Sequence, residues 1–355
     1  MLLAGFGEPG QRRLADSTAA VVGCGALGTT IADTLARAGV GRLLLIDRDF
    51  VELTNLQRQV LYDEQDVGDA VPKAEAAKRK LARINSGVEV AAIVDDLNAG
   101  NAERLTAGAN VLLDGVDNFE TRYLLNDCAV KHGTPYVYGG AVGTVGASLA
   151  ILPHTSRGDS AWERGGDGQS HATPCLRCLF EEAPPPGTGA TCDTVGVLGP
   201  AAQIVASFEA AEALKILTGN FERVSPTMLS FDLWANSVRQ LKVAGAYDQG
   251  DCPCCKHRTF EYLDGDLGSG TTTLCGRDAV QIRHKRDAED VDLDAIAISL
   301  AAHGAVKVNA FMLRASLVDR GRSYEITLFP DGRAIVKGTH EPNVARSLYA
   351  KFIGS

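Results

Sequence analysis

The chain has 355 residues, of which 45% are hydrophobic and nine are cysteine, with a formal net charge of −9. That length suggests two domains, or one large domain with an appendage, and the acidic balance argues against a general nucleic-acid binder, which carries a basic face. No apolar run reaches the roughly 18 residues a membrane span needs, and Glu8, Arg12, Arg13 and Asp16 exclude a signal peptide, so a soluble cytoplasmic protein is expected.

Residues 19–24 read as a short buried strand. Gly23-Cys24-Gly25-Ala26-Leu27-Gly28 follows and opens a helix over 29–38, which Gly39 ends. Residues 42–47 form the next strand, closing on Asp47. This is a βαβ unit with a Gly-x-Gly-x-x-Gly turn and an acidic residue about 20 positions on. Helices over 73–85, 99–107 and 119–132 then alternate with strands over 89–94, 111–114 and 136–139. Such alternation implies an α/β fold with a doubly wound, Rossmann-like, mostly parallel sheet.

Residues 153–174, rich in Gly, Ser, Asp and His, read as a flexible surface loop, with His154 and His171 solvated. Pro184-Pro185-Pro186-Gly187 marks another loop, and 197–217 has helical periodicity. A linker is expected over 264–273. Beyond it, 274–355 reads as a small α+β domain: a strand near 274–283, a helix near 292–303, strands over 323–329 and 333–337, and a helix near 341–353. Pro330-Asp331-Gly332 is a hairpin turn.

The glycine turn lets backbone amides approach phosphates at a helix N-terminus, and by itself suits a nicotinamide-dependent dehydrogenase as well as an ATP enzyme. Asp47 suits a ribose hydroxyl in either case. Arg58, in Asn55-Leu56-Gln57-Arg58-Gln59, and Lys73, after Pro72, place two cations near the same strand edge. Two cations there fit a triphosphate better than a dinucleotide; the alternative is a pair of solvated charges. Asp114-Gly115-Val116-Asp117-Asn118 ends a strand at the edge where doubly wound sheets bind ligands. A carboxylate there can hold magnesium, and Asn118 can cap the next helix.

Two Cys-x-x-Cys pairs, Cys175/Cys178 and Cys252/Cys255, each have the spacing of half a tetrahedral zinc site. Together they make a closed, structural four-sulfur site. Cys254 reads as a bystander able to compete with Cys255, Cys24 and Cys128 as core residues, and Cys192 as an unpaired thiol.

The motifs Val-Gly-Cys-Gly-Ala-Leu-Gly, Leu-Ile-Asp-Arg-Asp, Asn-Leu-Gln-Arg-Gln, Pro-Lys, Asp-Gly-Val-Asp-Asn, Cys-Leu-Arg-Cys, Gly-Val-Leu-Gly-Pro and Cys-Pro-Cys-Cys occur in that order. Over residues 1–263 the chain resembles the ThiF/MoeB/HesA family, relatives of ubiquitin-activating enzymes. The resemblance implies adenylation of the C-terminal Gly-Gly carboxylate of a ubiquitin-fold sulfur carrier, in thiamine or molybdopterin biosynthesis. It implies ATP, Mg2+ and Zn2+ as cofactors. The turn Gly23, Gly25, Ala26 and Gly28 would cradle the nucleotide. Asp47 would bind ribose; Asn55, Arg58, Gln59 and Lys73 would line the phosphate side; Asp117, with Asn118 beside it, would handle magnesium. Cys175, Cys178, Cys252 and Cys255 would bind zinc. Cys192 would lie above the site, either forming a covalent adduct with the carrier or remaining inert while a cysteine desulfurase or other donor delivers sulfur. A homodimer is implied, because an arginine from an N-terminal Arg-Tyr-x-Arg-Gln stretch completes the neighbour's ATP site. That stretch does not precede Leu2-Leu3 here, so the coding sequence is expected to continue upstream of Met1. The C-terminal domain resembles the extension of longer ThiF-type proteins, with no role derived for it. A scaffold that binds a ubiquitin-fold protein without catalysis is the main alternative.

Overall fold

The computed structural model describes residue 3 and residues 5–182, 195–267, 273–274, 279–282, 291–319, 321–330 and 332–353. It divides into two compact units, Met1–Gly268 and Ser269–Ser355.

The first unit opens with α1 (Gly7–Ala15), β1 (Thr18–Val22), α2 (Ala26–Ala38) and β2 (Arg42–Ile46). It continues through α3 (Glu64–Gly68), α4 (Lys73–Ile84), β3 (Glu89–Ile93), α5 (Ala102–Thr106), β4 (Val111–Asp114), α6 (Phe119–His132) and β5 (Tyr136–Val142). Then come β6 (Val145–Ile151), α7 (Leu176–Leu179), α8 (Gly199–Leu217), β7 (Thr227–Asp232), β8 (Ser237–Lys242) and α9 (Gly245–Gln249). The eight strands form one sheet in the order β3-β2-β1-β4-β5-β6-β7-β8. Strands β1 to β5 pair in parallel, and β6, β7 and β8 continue the sheet antiparallel.

The central strands are apolar on both faces because both are covered. One face packs Val21, Leu45 and Leu113 against α2, α4 and α8; the other packs Val22, Leu44 and Leu112 with α6 and the cysteine segments. Gly39 ends α2 in the left-handed conformation at φ 87°, returning its N–H to Leu35 and Ala36 carbonyls. The chain leaves β1 for β2 on one side and reaches β4 on the other. That reversal opens a crevice at the carboxyl ends of β1 and β4, where ligands bind in open α/β sheets.

Two sequence expectations need correction here. Strands β6, β7 and β8 were not anticipated. All but the first residue of β8 are exposed, so the edge strand lacks the apolar run that betrays a buried one. The segment 153–174 contains no helix or strand, yet its centre is packed rather than free. Trp162 is buried against Phe221 and donates to Pro153 O at 2.9 Å, while Glu163 accepts from Thr155 and Ser160. His154 stacks on Tyr247 at 3.7 Å instead of standing in solvent.

The second unit contains β9 (Thr273–Leu274), β10 (Ala279–Ile282), α10 (Leu293–Leu300), β11 (Gly304–Val308), β12 (Leu313–Asp319), β13 (Arg322–Leu328), β14 (Ala334–Lys337) and α11 (Pro342–Phe352). Its antiparallel sheet runs β11-β12-β13-β14-β10-β9. Strands β11 and β12 are additions to the sequence reading. Buried Ala315 and Leu317 alternate with exposed Ser316 and Val318, the period of a half-buried strand. Gly332 turns with φ 77°; Asp331 of that turn lies outside the described residues. Among the described residues no helix is long and apolar enough to cross a membrane.

Candidate nucleotide site and cysteine centre

Gly23 leaves β1 at φ +87°, and a Cβ there would sit 2.4 Å from Gly115 O. A Cβ on Gly28 would sit 1.8 Å from Gly23 O. These two glycines allow the turn and the close approach of helix α2, whose first residue is Ala26 and whose N-cap is Gly25. The start of α2 therefore points its free amides into the crevice.

Asp47 follows β2 and is aimed at the same turn. Its Oδ2 accepts from Cys24 N at 2.6 Å and its Oδ1 from Asp49 N at 2.7 Å. Burial raises its pKa, and the charge of Lys73 opposes that rise. Lys73 begins α4 with only 3% of its surface exposed; its Nζ donates to Asp49 Oδ2 at 3.3 Å, and its backbone N–H donates to Asp49 O. Tyr62 ties the two arms together by donating to both Cys24 O (2.8 Å) and Lys73 O (3.1 Å). Cys24 is buried, which pushes its thiol pKa well up, in keeping with a packing role.

The 55–59 segment lies over this turn. Asn55 is buried and accepts from Glu52 N, which fixes the segment's bend. Gln59 is 4% exposed, and its Oε1 has no hydrogen-bond partner. Its Nε2 would be 3.9 Å from a Cβ on Gly25, so this orphaned amide stands beside the glycine turn. Arg58 is half-buried; its guanidinium turns back to donate to Thr54 O at 3.0 Å. The structure thus gathers Gly23, Gly25, Asp47, Gln59 and Lys73, while the Arg58 guanidinium is engaged with Thr54.

At the end of β4 two carboxylates divide the work. Asp114 is fully buried, accepting from Arg122 Nε at 3.2 Å and Tyr136 OH at 2.7 Å. Burial raises its pKa, and these two partners restrain the rise. Burial works against the Arg122 charge, but Asp114 together with Tyr138, Tyr136 and Asp117 more than compensates, and its pKa is raised. Asp114 is therefore spent on structure. Asp117 is exposed, with Asn118 Nδ2 3.4 Å from its Oδ1. Asn118 caps α6 by accepting Thr121 N–H at 2.9 Å, as its position implied. Sequence reasoning missed Arg48, Asp49 and Asp96. Arg48 Nη1 meets Asp96 Oδ1 at 2.7 Å at the same strand edge. The Asp-x-Asp spacing at the end of β2 was the available signal.

The four expected cysteines meet from two segments 77 residues apart. Cys175–Cys178, Cys175–Cys252 and Cys178–Cys255 sulfurs lie 3.8, 3.6 and 3.3 Å apart, and all four lie within 4.8 Å of one another. A tetrahedron with metal–sulfur bonds of about 2.3 Å has edges of about 3.8 Å. The donor set fits zinc. Hydrogen bonds from Cys178 and Cys252 lower the Cys175 pKa well below the ordinary thiol value, so a thiolate forms readily there. Cys254 is fully buried but stands outside this group. Cys192 lies outside the described residues. Arg13, on α1, donates to Thr218 O at 3.0 Å, and Arg12 pairs on the surface with Glu8.

A sulfur carrier protein ThiS adenylyltransferase of Bacillus subtilis is 41% identical over 354 residues, covering 99% of this chain and 97% of that protein. A sulfur carrier protein adenylyltransferase of Thermus thermophilus is 38% identical over 256 residues, 72% of this chain and 88% of its own length. Among solved structures, the Escherichia coli protein MccB with succinimide shares the fold at a TM-score of 0.54 and 23% identity, over 70% of this chain and 68% of that one. The ThiF family profile matches residues 1–254, and the chain belongs to that family.

Proposed function

We propose that this protein adenylates the C-terminal glycine carboxylate of a ubiquitin-fold sulfur carrier with ATP. The observation that carries the reading is the buried Lys73 ammonium, held by Asp49 at 3.3 Å beside the glycine turn and Asp47. A buried ammonium beside the glycine turn, oriented by its ion pair with Asp49, suits a phosphate chain, whereas a dinucleotide pyrophosphate is served by the helix end alone. Likeness across the full length to a ThiS adenylyltransferase supports the same chemistry and favours the thiazole branch of thiamine synthesis over molybdopterin.

In this reaction a carboxylate oxygen of the carrier attacks the α-phosphorus of ATP. A new P–O bond forms, the bond to the bridging oxygen breaks, and pyrophosphate leaves with the electron pair. No side-chain base is required, since the carboxylate is already ionised at neutral pH. Asp47 holds the ribose, and the α2 amides and Gln59 fix the phosphates. Lys73 and Arg58 offset the charge that develops, Arg58 by swinging from Thr54. Asp117 would hold magnesium, which when bound neutralises phosphate charge. Zinc at the cysteines is structural because four thiolates leave no open position. The Cys192 thiolate then either attacks the acyl carbon, forming a thioester as AMP leaves with the C–O bonding pair, or is bypassed by an external sulfur donor. The working form is a homodimer.

The test is ATP–pyrophosphate exchange with purified carrier. Exchange that requires a carrier ending in Gly-Gly and stops when that glycine is deleted supports the reading. Tight carrier binding without exchange supports the scaffold alternative instead, and carrier-independent nicotinamide reduction would point to a dehydrogenase.

A further inference from the structure

We propose that Asn126 is the positioning residue of the cysteine centre: its carboxamide fastens both Cys-x-x-Cys arms to α6 and pre-assembles the four thiols before a metal arrives. The proposal rests on the reading of those cysteines as a zinc site.

Asn126 is fully buried in the middle of α6, where an asparagine is costly unless its polar atoms are used. Its Oδ1 accepts from Leu176 N at 2.8 Å. Leu176 follows Cys175 and begins α7, so this amide would otherwise be an orphan donor at a helix start. Its Nδ2 donates to Cys254 Sγ at 3.3 Å, and Cys254 stands between Cys252 and Cys255. One side chain therefore spans two arms that lie 50 and 128 residues from it in sequence.

The neighbouring positions of α6 hold the same two arms. Tyr123 OH donates to Phe180 O at 2.9 Å, just beyond Cys178. Asp127 Oδ2 accepts from Tyr262 N at 3.0 Å. Arg258 donates to the Val130 and Lys131 carbonyls at 2.8 and 3.0 Å, satisfying acceptors in the last turn of the helix. Asn126 differs from these in touching both arms at once. It also marks out one of two adjacent thiols, with Asp127 beside the same sulfur. The bond from Nδ2 occupies the Cys254 sulfur, and the sulfur that joins the compact group is that of Cys255. Gathering four thiols is opposed by chain entropy and, once they ionise, by repulsion between thiolates. A fixed amide bridging the arms removes much of that barrier, and groups that orient ligands from behind are typically worth 10- to 100-fold in metal affinity.

The experiment compares the zinc-loaded wild-type chain with Asn126→Asp, which keeps the acceptor and loses the donor, and Asn126→Leu, which loses both. Each is mixed with excess chromogenic chelator, and zinc release is followed by absorbance. Both variants should release zinc about 10- to 100-fold faster than wild type. The cobalt-substituted forms should show an altered thiolate-to-metal absorption band. Cys128→Ala, a buried substitution in the same helix, controls for lost packing and should keep the wild-type release rate. If Asn126→Leu does not fold, Asn126→Asp carries the comparison. Release rates and cobalt spectra equal to wild type would overturn the role of Asn126. A wild-type chain that takes up no metal would overturn the reading of the cysteines themselves.

Discussion

Gly23 and Gly115 face each other across the carboxyl ends of β1 and β4 with no room for a methyl group on either: a Cβ at Gly23 would lie 2.4 Å from Gly115 O, and one at Gly115 would lie 2.2 Å from Gly23 O. Both clashes are with backbone, which cannot step aside as a flexible side chain can. Gly23→Ala adds the strain of φ +87°. It should lower the melting temperature by roughly 3–10 °C and abolish ATP-dependent exchange. Gly115→Ala, with the clash alone, should do less. Wild-type melting of Gly23→Ala would show that the crevice is not built on this contact.

Lys73 and Asp49 provide a second test. Lys73→Ala, Arg58→Ala and Asp117→Ala should each cut pyrophosphate exchange by roughly 100-fold or more, with carrier binding little changed. Asp49→Asn keeps the lysine and loosens its placement. It should raise KM for ATP and leave kcat within about threefold. Exchange that survives all three alanine changes would place the ATP site elsewhere.

The cysteine centre predicts about one zinc per chain, measured by elemental analysis. Cys252→Ser should lower metal content and thermal stability together, since it removes one of the four grouped sulfurs. Cys254→Ser should retain the metal. Loss of zinc in Cys254→Ser with full occupancy in Cys255→Ser would exchange the two assignments.

Glu209 lies fully buried on α8 where Gly139 leaves space, its oxygens beside the Asp114 amide without a hydrogen bond of good geometry. Burial pushes its pKa well up, so the folded chain keeps a proton that an unfolded glutamate loses near pH 4.3. Between those two values the folded state binds more protons than the unfolded one, and stability falls as pH rises, by about 1.4 kcal/mol per pH unit at a full proton's difference. Glu209→Gln has no such slope. Its melting temperature should exceed that of wild type by a margin that widens from pH 5 to pH 8. Parallel curves over that range would mean that Glu209 ionises normally.

Much of this was legible in the sequence because its signals are local. A Gly-x-Gly-x-x-Gly turn after an apolar strand needs only neighbouring residues to specify it, and Asn118 caps α6 through a bond to Thr121, three positions on. The spacing within each Cys-x-x-Cys pair is likewise set by one short turn. Edge strand β8 and the β11–β12 hairpin were not legible, since their stability comes from pairing with distant strands and their own apolar content is low or merely alternating.

By itself the sequence determined the family, the βαβ start, the glycine turn and the identity of the four grouped thiols. Only the tertiary structure decided how charge and hydrogen bonds are shared. It assigned Asp114 to Arg122 and left Asp117 exposed, although both end the same motif, because Asp114 is still inside β4, covered on both faces, and the chain has left the sheet by Asp117. It paired Lys73 with Asp49, residues 24 positions apart, across the edge between β2 and α4. And it separated Cys254 from Cys255 by giving one an amide from α6, a partner 128 residues away that no local pattern announces. Such assignments depend on which side chains the folded backbone brings within about 3 Å, the range over which hydrogen bonds and ion pairs act.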